Sequence, residues 1–160
     1  MSTEDAPIPT APKIKGLTPH FAIVRAPYYK DIVDNLTTGA ADILRQSGAT
    51  MEVIDVAGAF ELPQAIRMLI HGTRKFDAYV ALGCIIRGET DHYEFISRST
   101  MDGFMNLALN TGICLGTGLL TCSTKAQAEA RSQLGGFNKG AEAAVAAVTQ
   151  LVVAQTHGVT

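Results

Sequence analysis

Residues 77–98 read DAYVALGCIIRGETDHYEFISR, and the fold is decided by how this stretch is divided. From 77 to 86 the run is almost wholly apolar, with β-branched and aromatic members, the composition of a strand covered on both faces of a parallel sheet. Arg87, Gly88, Glu89 and Thr90 make a short polar loop. Asp91 followed by Glu94 has the form of a helix-opening capping box, and Tyr93, Ile96 and Met101 continue at helical spacing. The prediction is strand, tight loop, helix.

Open α/β sheets bind ligands at the carboxyl ends of their strands, and a helix amino terminus offers unpaired N–H groups to anions. Thr90 adds a hydroxyl to such a site. His92 adds the side chain whose ordinary pKa suits proton transfer near neutrality. The plainer alternative is that Thr90 and Asp91 merely cap a helix and that His92 is a surface residue.

Outward from this stretch the chain alternates. Residues 20–26 (HFAIVRA) form a short apolar strand that Pro27 stops before Tyr28 and Tyr29. Ile32, Val33, Leu36, Ala40, Ile43 and Leu44 recur at three and four, a helix over about 30–46 ended by Gly48. Residues 50–56 give a second strand. After AGAFELP, with Gly58 allowing close backbone approach and Pro63 in a first helical turn, a helix runs to about 71 with Ile66, Leu69 and Ile70 buried. The helix after the opening strand reaches about 110, and 113–121 is a glycine-loosened fourth strand. Thr124 and Gln127 resemble another capping box, opening a short helix through Arg131. The loop LGGFNKG breaks it, and 141 to about 155 is a final helix.

Strands alternating with helices at about 25–30 residues per unit imply a parallel sheet with helices on both faces. Three clusters then fall on one sheet edge: Tyr28 with Tyr29, 58–61, and 87–92. One ligand could touch all three. Each has a bland alternative: tyrosines at strand ends are common, Glu61 then serves only a helix amino terminus, and Arg131 is then a solvated cation.

Composition narrows the partners. The 160 residues fit one domain with a real core, expected over 14–156 between a flexible or extended arm at 1–13, which carries Pro7, Pro9 and Pro12, and a short tail at 157–160. With 47% hydrophobic residues, 18% charged and a formal charge of −2, the chain has few charges for its size, which suggests surface buried between subunits. There is no basic cluster, hence no footprint for nucleic acid. Cys84, Cys114 and Cys122 lie in apolar strand contexts without CxxC spacing, so neither disulfides nor a metal cluster is expected. His20, His71, His92 and His157 form no HxxxH or HxH pair, and no metal is assigned. No basic region leads into an apolar stretch at the amino terminus, and no apolar run approaches the ~20 residues of a membrane span. A soluble, cytoplasmic protein without membrane contact is expected.

Three segments, 56–63 (VAGAFELP), 82–92 (LGCIIRGETDH) and 136–140 (GFNKG), resemble the lumazine synthase family in order and spacing, and the likeness covers roughly 14–155. It implies a flavodoxin-like, three-layer α/β/α sandwich with a four-stranded parallel sheet. It also implies condensation of 5-amino-6-(D-ribitylamino)uracil with 3,4-dihydroxy-2-butanone 4-phosphate to 6,7-dimethyl-8-ribityllumazine, the penultimate step to riboflavin, with no metal or organic cofactor. Such enzymes assemble as pentamers, sometimes as decamers or sixty-subunit shells, with active sites between neighbours. The resemblance leaves association with riboflavin synthase open.

By matching positions, Tyr28 would stack on the pyrimidine, and Ala59, Phe60 and Glu61 would hold the ribityl chain and uracil edge. Cys84, Ile85 and Ile86 would contribute backbone contacts. Glu89 and Thr90, with Gly88, match the phosphate-binding turn, His92 the proton-transfer residue, Arg131 the phosphate cation from an adjacent subunit, and Lys139 a lysine near the same site. Glu142, in the same helix, could orient Lys139 or Arg131 as an ion-pair partner. The chain departs from the family pattern at Ala57 in place of proline, at Pro27 where arginine is frequent, at Tyr28 in place of phenylalanine or tryptophan, and at Thr117 where many members place an aromatic that closes the site. These departures bear on affinity and leave the reaction type intact. A non-catalytic binder would not need Thr90, His92 and Arg131 together, and a purely structural shell would not need the ligand loops.

Overall fold

The computed structural model describes residues 8–14, 16 and 18–159, so 1–7 of the expected arm lie outside the described residues. Four strands, β1 (His20–Arg25), β2 (Thr50–Asp55), β3 (Ala78–Ile86) and β4 (Cys114–Cys122), alternate with five helices, α1 (Lys30–Gln46), α2 (Glu61–His71), α3 (His92–Thr111), α4 (Lys125–Ser132) and α5 (Lys139–Thr156). The strands form one wholly parallel sheet in the order β2-β1-β3-β4. Phe21, Ala22, Ile23 and Val24 of the inner strand β1 are completely buried, as expected of a strand covered on both faces.

Alternate side chains of each strand enter two cores. Phe21, Ile23, Val80, Leu82 and Leu120 pack with α1, α4 and α5 through Leu36, Leu44, Ala128 and Val148. Ala22, Val24, Tyr79, Ala81 and Leu119 pack with α2 and α3 through Leu62, Ile66, Phe104 and Leu107. The result is the expected α/β/α layering. The α5 helix approaches β4 closely because Gly118 carries no side chain where a Cβ would stand 3.0 Å from the Lys139 carbonyl oxygen. Ala11 and Ile14 also pack against the first core.

Three local expectations need correction. The capping box at Asp91 and Glu94 does not form: Asp91 makes no side-chain cap, and Glu94 instead accepts from Arg87 at 3.2 Å. The nearby guanidinium outcompetes the weaker local bond. In α2, Leu69 and Ile70 are half-buried, and Leu62, Ala65 and Ile66 fill the core. In α3 the inward stripe is Thr100, Phe104 and Leu107, and Met101 is 40% exposed. At α4 the expectation holds in shifted form. The Thr124 hydroxyl accepts from the Gln127 N–H, while the Gln127 side chain accepts from the N–H of Ser123. The α5 helix opens two residues earlier than expected because the Asn138 side chain caps it, accepting from the N–H groups of Gly140 and Ala141.

Among the described residues no helix is long and apolar enough to cross a membrane, and Cys84, Cys114 and Cys122 are all free thiols.

Candidate active site

The chain leaves β1 to lay β2 on one side and returns to lay β3 on the other, so winding reverses between β1 and β3. That is where an open parallel sheet leaves a crevice beyond its carboxyl ends. A cleft of about 620 Å³ lies there, lined from the β1 end by Tyr28 and Tyr29, from the segment after β2 by Gly58, Ala59, Phe60 and Glu61, from β3 by Cys84, Ile85 and Ile86, and from α3 by His92, Phe95, Ile96 and Ser99. Two of the three clusters marked in the sequence, Tyr28 with Tyr29 and 58–61, therefore meet in full, and of the third, 87–92, only His92 lines the cleft, Glu89 and Thr90 lying outside it.

Each wall has a local cause. Tyr28 and Tyr29 meet edge to face, with centroids 5.0 Å apart at 75°, and Tyr28 remains 78% exposed. An exposed ring held by its neighbour presents a face on which a flat heterocycle can stack. The loop before α2 turns tightly, Glu61 N–H donating to the Gly58 carbonyl and Leu62 N–H to the Ala59 carbonyl, each at 3.2 Å. The Thr100 hydroxyl donates to the Ala59 carbonyl at 3.4 Å, tying this loop to α3. Glu61 thus enters the cleft from a fixed first turn, the one carboxylate among the lining residues.

The β3 strand outruns its partner. Its pairing with β1 ends at Arg25 opposite Leu82, whereas pairing with β4 continues to Ile86 opposite Cys122. On the cleft side, the backbone of 83–86 therefore has no strand neighbour, and its polar groups need partners from a ligand or water. Cys84 is 6% exposed at this floor, and burial, with the Cys122 thiol adding to it, pushes its pKa up to about 12. It is a neutral thiol, an apolar wall and not a nucleophile.

The start of α3 has no side-chain cap from Asp91, which leaves the amides of His92 and Tyr93 at the amino terminus of a 20-residue helix without a side-chain partner, beside the loop that carries Glu89 and Thr90, both exposed. Arg87 beside that loop lies with its guanidinium carbon 4.7 Å from the Tyr93 ring centroid. His92 is the first helical residue and faces the cleft. The arrangement can hold a planar ring, a polyhydroxy chain and, at its α3 rim, an anion beside a proton-transfer group.

Other expected residues are elsewhere. Thr117 is exposed on β4 and accepts from the Leu119 N–H. Arg131 sits in the last turn of α4, donating to the Gln127 carbonyl at 3.0 Å. Lys139 opens α5 and contacts both oxygens of Glu142, at 2.8 and 2.7 Å, the ion pair anticipated from their spacing. None of these three lines the cleft of its own chain. Phe95, Ile96 and Ser99 were missed in the sequence. They follow His92 at three, four and seven residues, and that helical spacing was the available signal. Among the described residues no three His, Cys, Asp or Glu side chains gather closely enough to hold a metal ion.

A protein-family model described as 6,7-dimethyl-8-ribityllumazine synthase matches residues 18–155. The chain is 39% identical over 143 residues to the 6,7-dimethyl-8-ribityllumazine synthase of Bartonella bacilliformis, covering 89% of this chain and 94% of that one. It is 42% identical over 133 residues to the protein of that name from Nitrobacter winogradskyi, covering 81% and 82%. With the one from Agrobacterium fabrum it shares 40% over 144 residues, covering 88% and 97%.

Proposed function

The chain belongs to the 6,7-dimethyl-8-ribityllumazine synthase family, and we propose that the cleft at the β1/β3 switch is where its condensation takes place. The protein is a transferase of riboflavin biosynthesis, joining 5-amino-6-(D-ribitylamino)uracil to 3,4-dihydroxy-2-butanone 4-phosphate and releasing phosphate and water. The observation that carries the site assignment is the meeting of Tyr28, Glu61 and His92 around one cleft of about 620 Å³.

In this reading Tyr28 stacks on the pyrimidine, the free backbone of 83–86 pairs with its polar edge, and Glu61 with Ala59 and Phe60 holds the ribityl hydroxyls. Phosphate lies at the uncapped start of α3 beside Gly88, Glu89 and Thr90. The amine attacks the ketone and water leaves to give an imine. Phosphate is eliminated, and the second amine attacks the remaining carbonyl carbon and closes the ring with loss of a second water. Each step moves protons, none needs a protein nucleophile, and His92 stands where it can carry them. Holding two reactants together can supply about 7–11 kcal/mol, more than the 10²–10⁴-fold of general acid–base help, so positioning dominates.

Arg131 and Lys139 are the cations suited to the phosphate, and both lie off their own cleft. We assign them to a neighbouring subunit's cleft, with Thr117 at the same junction, in a homopentamer. Exposed apolar side chains on α2 and α3, among them Met68, Phe95, Met105 and Leu109, support such an interface. Assemblies of ten or sixty chains, and contact with riboflavin synthase, would be built from that ring. A cytoplasmic location fits the three free thiols. The test is to mix the purified protein with both substrates and follow lumazine fluorescence. Formation well above the uncatalysed rate is expected, and no acceleration would sink the reading.

A further inference from the structure

We propose that Asn138 is the positioning residue of the phosphate cations: its buried carboxamide fixes Arg131 and Lys139 relative to each other and so sets affinity for the phosphorylated substrate. The inference rests on the assignment of those two cations to the phosphate.

Asn138 is 3% exposed, and each of its side-chain polar atoms is bonded. The amide nitrogen donates to the carbonyls of Ser132 at 2.9 Å, Asn35 at 3.0 Å and Gln133 at 3.3 Å. The oxygen accepts from the N–H groups of Gly140 at 2.9 Å and Ala141 at 3.0 Å. One side chain therefore caps the end of α4, caps the start of α5 and pins both to α1.

The geometry matters because of what flanks it. Arg131 immediately precedes Ser132, and Lys139 immediately follows Asn138. The α4 helix ends at Gln133 in an extended conformation, φ −61° and ψ 138°, and the left-handed residue of the loop, Gly135, comes only two positions later. Between the helices lie two glycines, Gly135 and Gly136, which do little to restrict the backbone. Asn138 is thus the polar link across that loop, and the α1 side is shaped for it. A Cβ on Gly39 would stand 2.3 Å from the Asn138 side-chain oxygen.

Chemistry selects asparagine here. Aspartate would keep the cap on α5 but lack the donors and set a negative charge against three carbonyls. Serine would keep a cap and lose the reach to Asn35, Ser132 and Gln133. In either variant the cations stay in the chain but lose their fixed spacing. The pyrimidine, held by Tyr28 and Glu61 on other elements, should not sense it.

The experiment is steady-state kinetics of Asn138→Ser, each substrate varied in turn, with thermal denaturation and sedimentation as controls. The expected result is a KM for the butanone phosphate raised about tenfold, the scale of one or two net hydrogen bonds, with the pyrimidine KM unchanged. Equal change in both KM values, or a lower melting temperature with neither changed, would leave Asn138 a merely structural residue and overturn the proposal. If Asn138→Ser does not fold, Gly39→Ala, which displaces the same carboxamide from α1, is judged by the same two outcomes. Arg131→Ala alone tests the underlying assignment: an unchanged phosphate-substrate KM removes Arg131 from the phosphate whatever Asn138 does. Given that Arg131→Ala raises it, adding Asn138→Ser should raise it by much less than the tenfold seen alone, and full additivity would contradict a role exerted through the cations.

Discussion

Gly116 of β4 lies so close to Ala143 of α5 that a Cβ on the glycine would stand 1.9 Å from the Ala143 carbonyl oxygen. Backbone cannot retreat as a flexible side chain can, so the helix as a whole would have to move. A Cβ on Gly140 would stand a comparable 2.0 Å from the Leu36 carbonyl oxygen, so the same helix also lies close against α1. Gly116→Ala should therefore cost about 1–3 kcal/mol or more, the usual range for overpacking. At this chain length each kcal/mol lowers the melting temperature by about 2–4 °C. Calorimetry reads it directly, and an unchanged melting temperature would show that α5 floats on the sheet.

His92→Ala should lower kcat by about 10²–10⁴, the range of general acid–base catalysis, and leave a measurable rate because positioning remains. The KM values should change little, since Tyr28, Glu61 and the backbone amides at the start of α3 remain. Unaltered turnover would remove His92 from the mechanism.

The Cys84 thiol, raised to about 12 chiefly by burial, holds its proton more tightly folded than unfolded. Its contribution to stability is therefore full below about pH 9 and is lost as pH rises toward about 12. Urea denaturation should show wild type losing more stability than Cys84→Ala between neutral and strongly alkaline pH. Cys114 and Cys122 are shifted the same way, so part of the decline should persist in the variant. Identical pH profiles would place the ordinary thiol pKa at Cys84.

Leu109 is 76% exposed on α3. In an isolated chain, Leu109→Glu should alter stability by no more than about 0.5 kcal/mol. If α3 faces a second subunit, the same change buries a charge, and sedimentation should shift to smaller species with activity falling in parallel. Wild-type sedimentation and activity would move the interface away from this helix.

Much of this was legible in the sequence because burial is written locally. A run such as 77–86 can be sheltered on both faces only inside a parallel sheet, and the spacing from Ile32 to Leu44 can bury one stripe only as a helix. The carboxyl ends of the strands then had to share one edge, which brought Tyr28, Glu61 and His92 into the same region. Phe95, Ile96 and Ser99 were readable by the same periodicity once His92 was placed on a helix.

Periodicity names a face but not the atom that will meet it. Asp91 looked like a cap, and only the folded position of Arg87 gave Glu94 a stronger partner. Asn138 looked like a loop residue, yet it bonds Asn35, 103 positions away, through a space that Gly39 leaves open. Arg131 and Lys139 carry the charge suited to a phosphate, while the packing of α4 and α5 keeps them out of their own chain's cleft. Those outcomes depend on distances between segments remote in sequence. Such distances are set by how closely helices pack on a sheet, and one-dimensional patterns do not contain them.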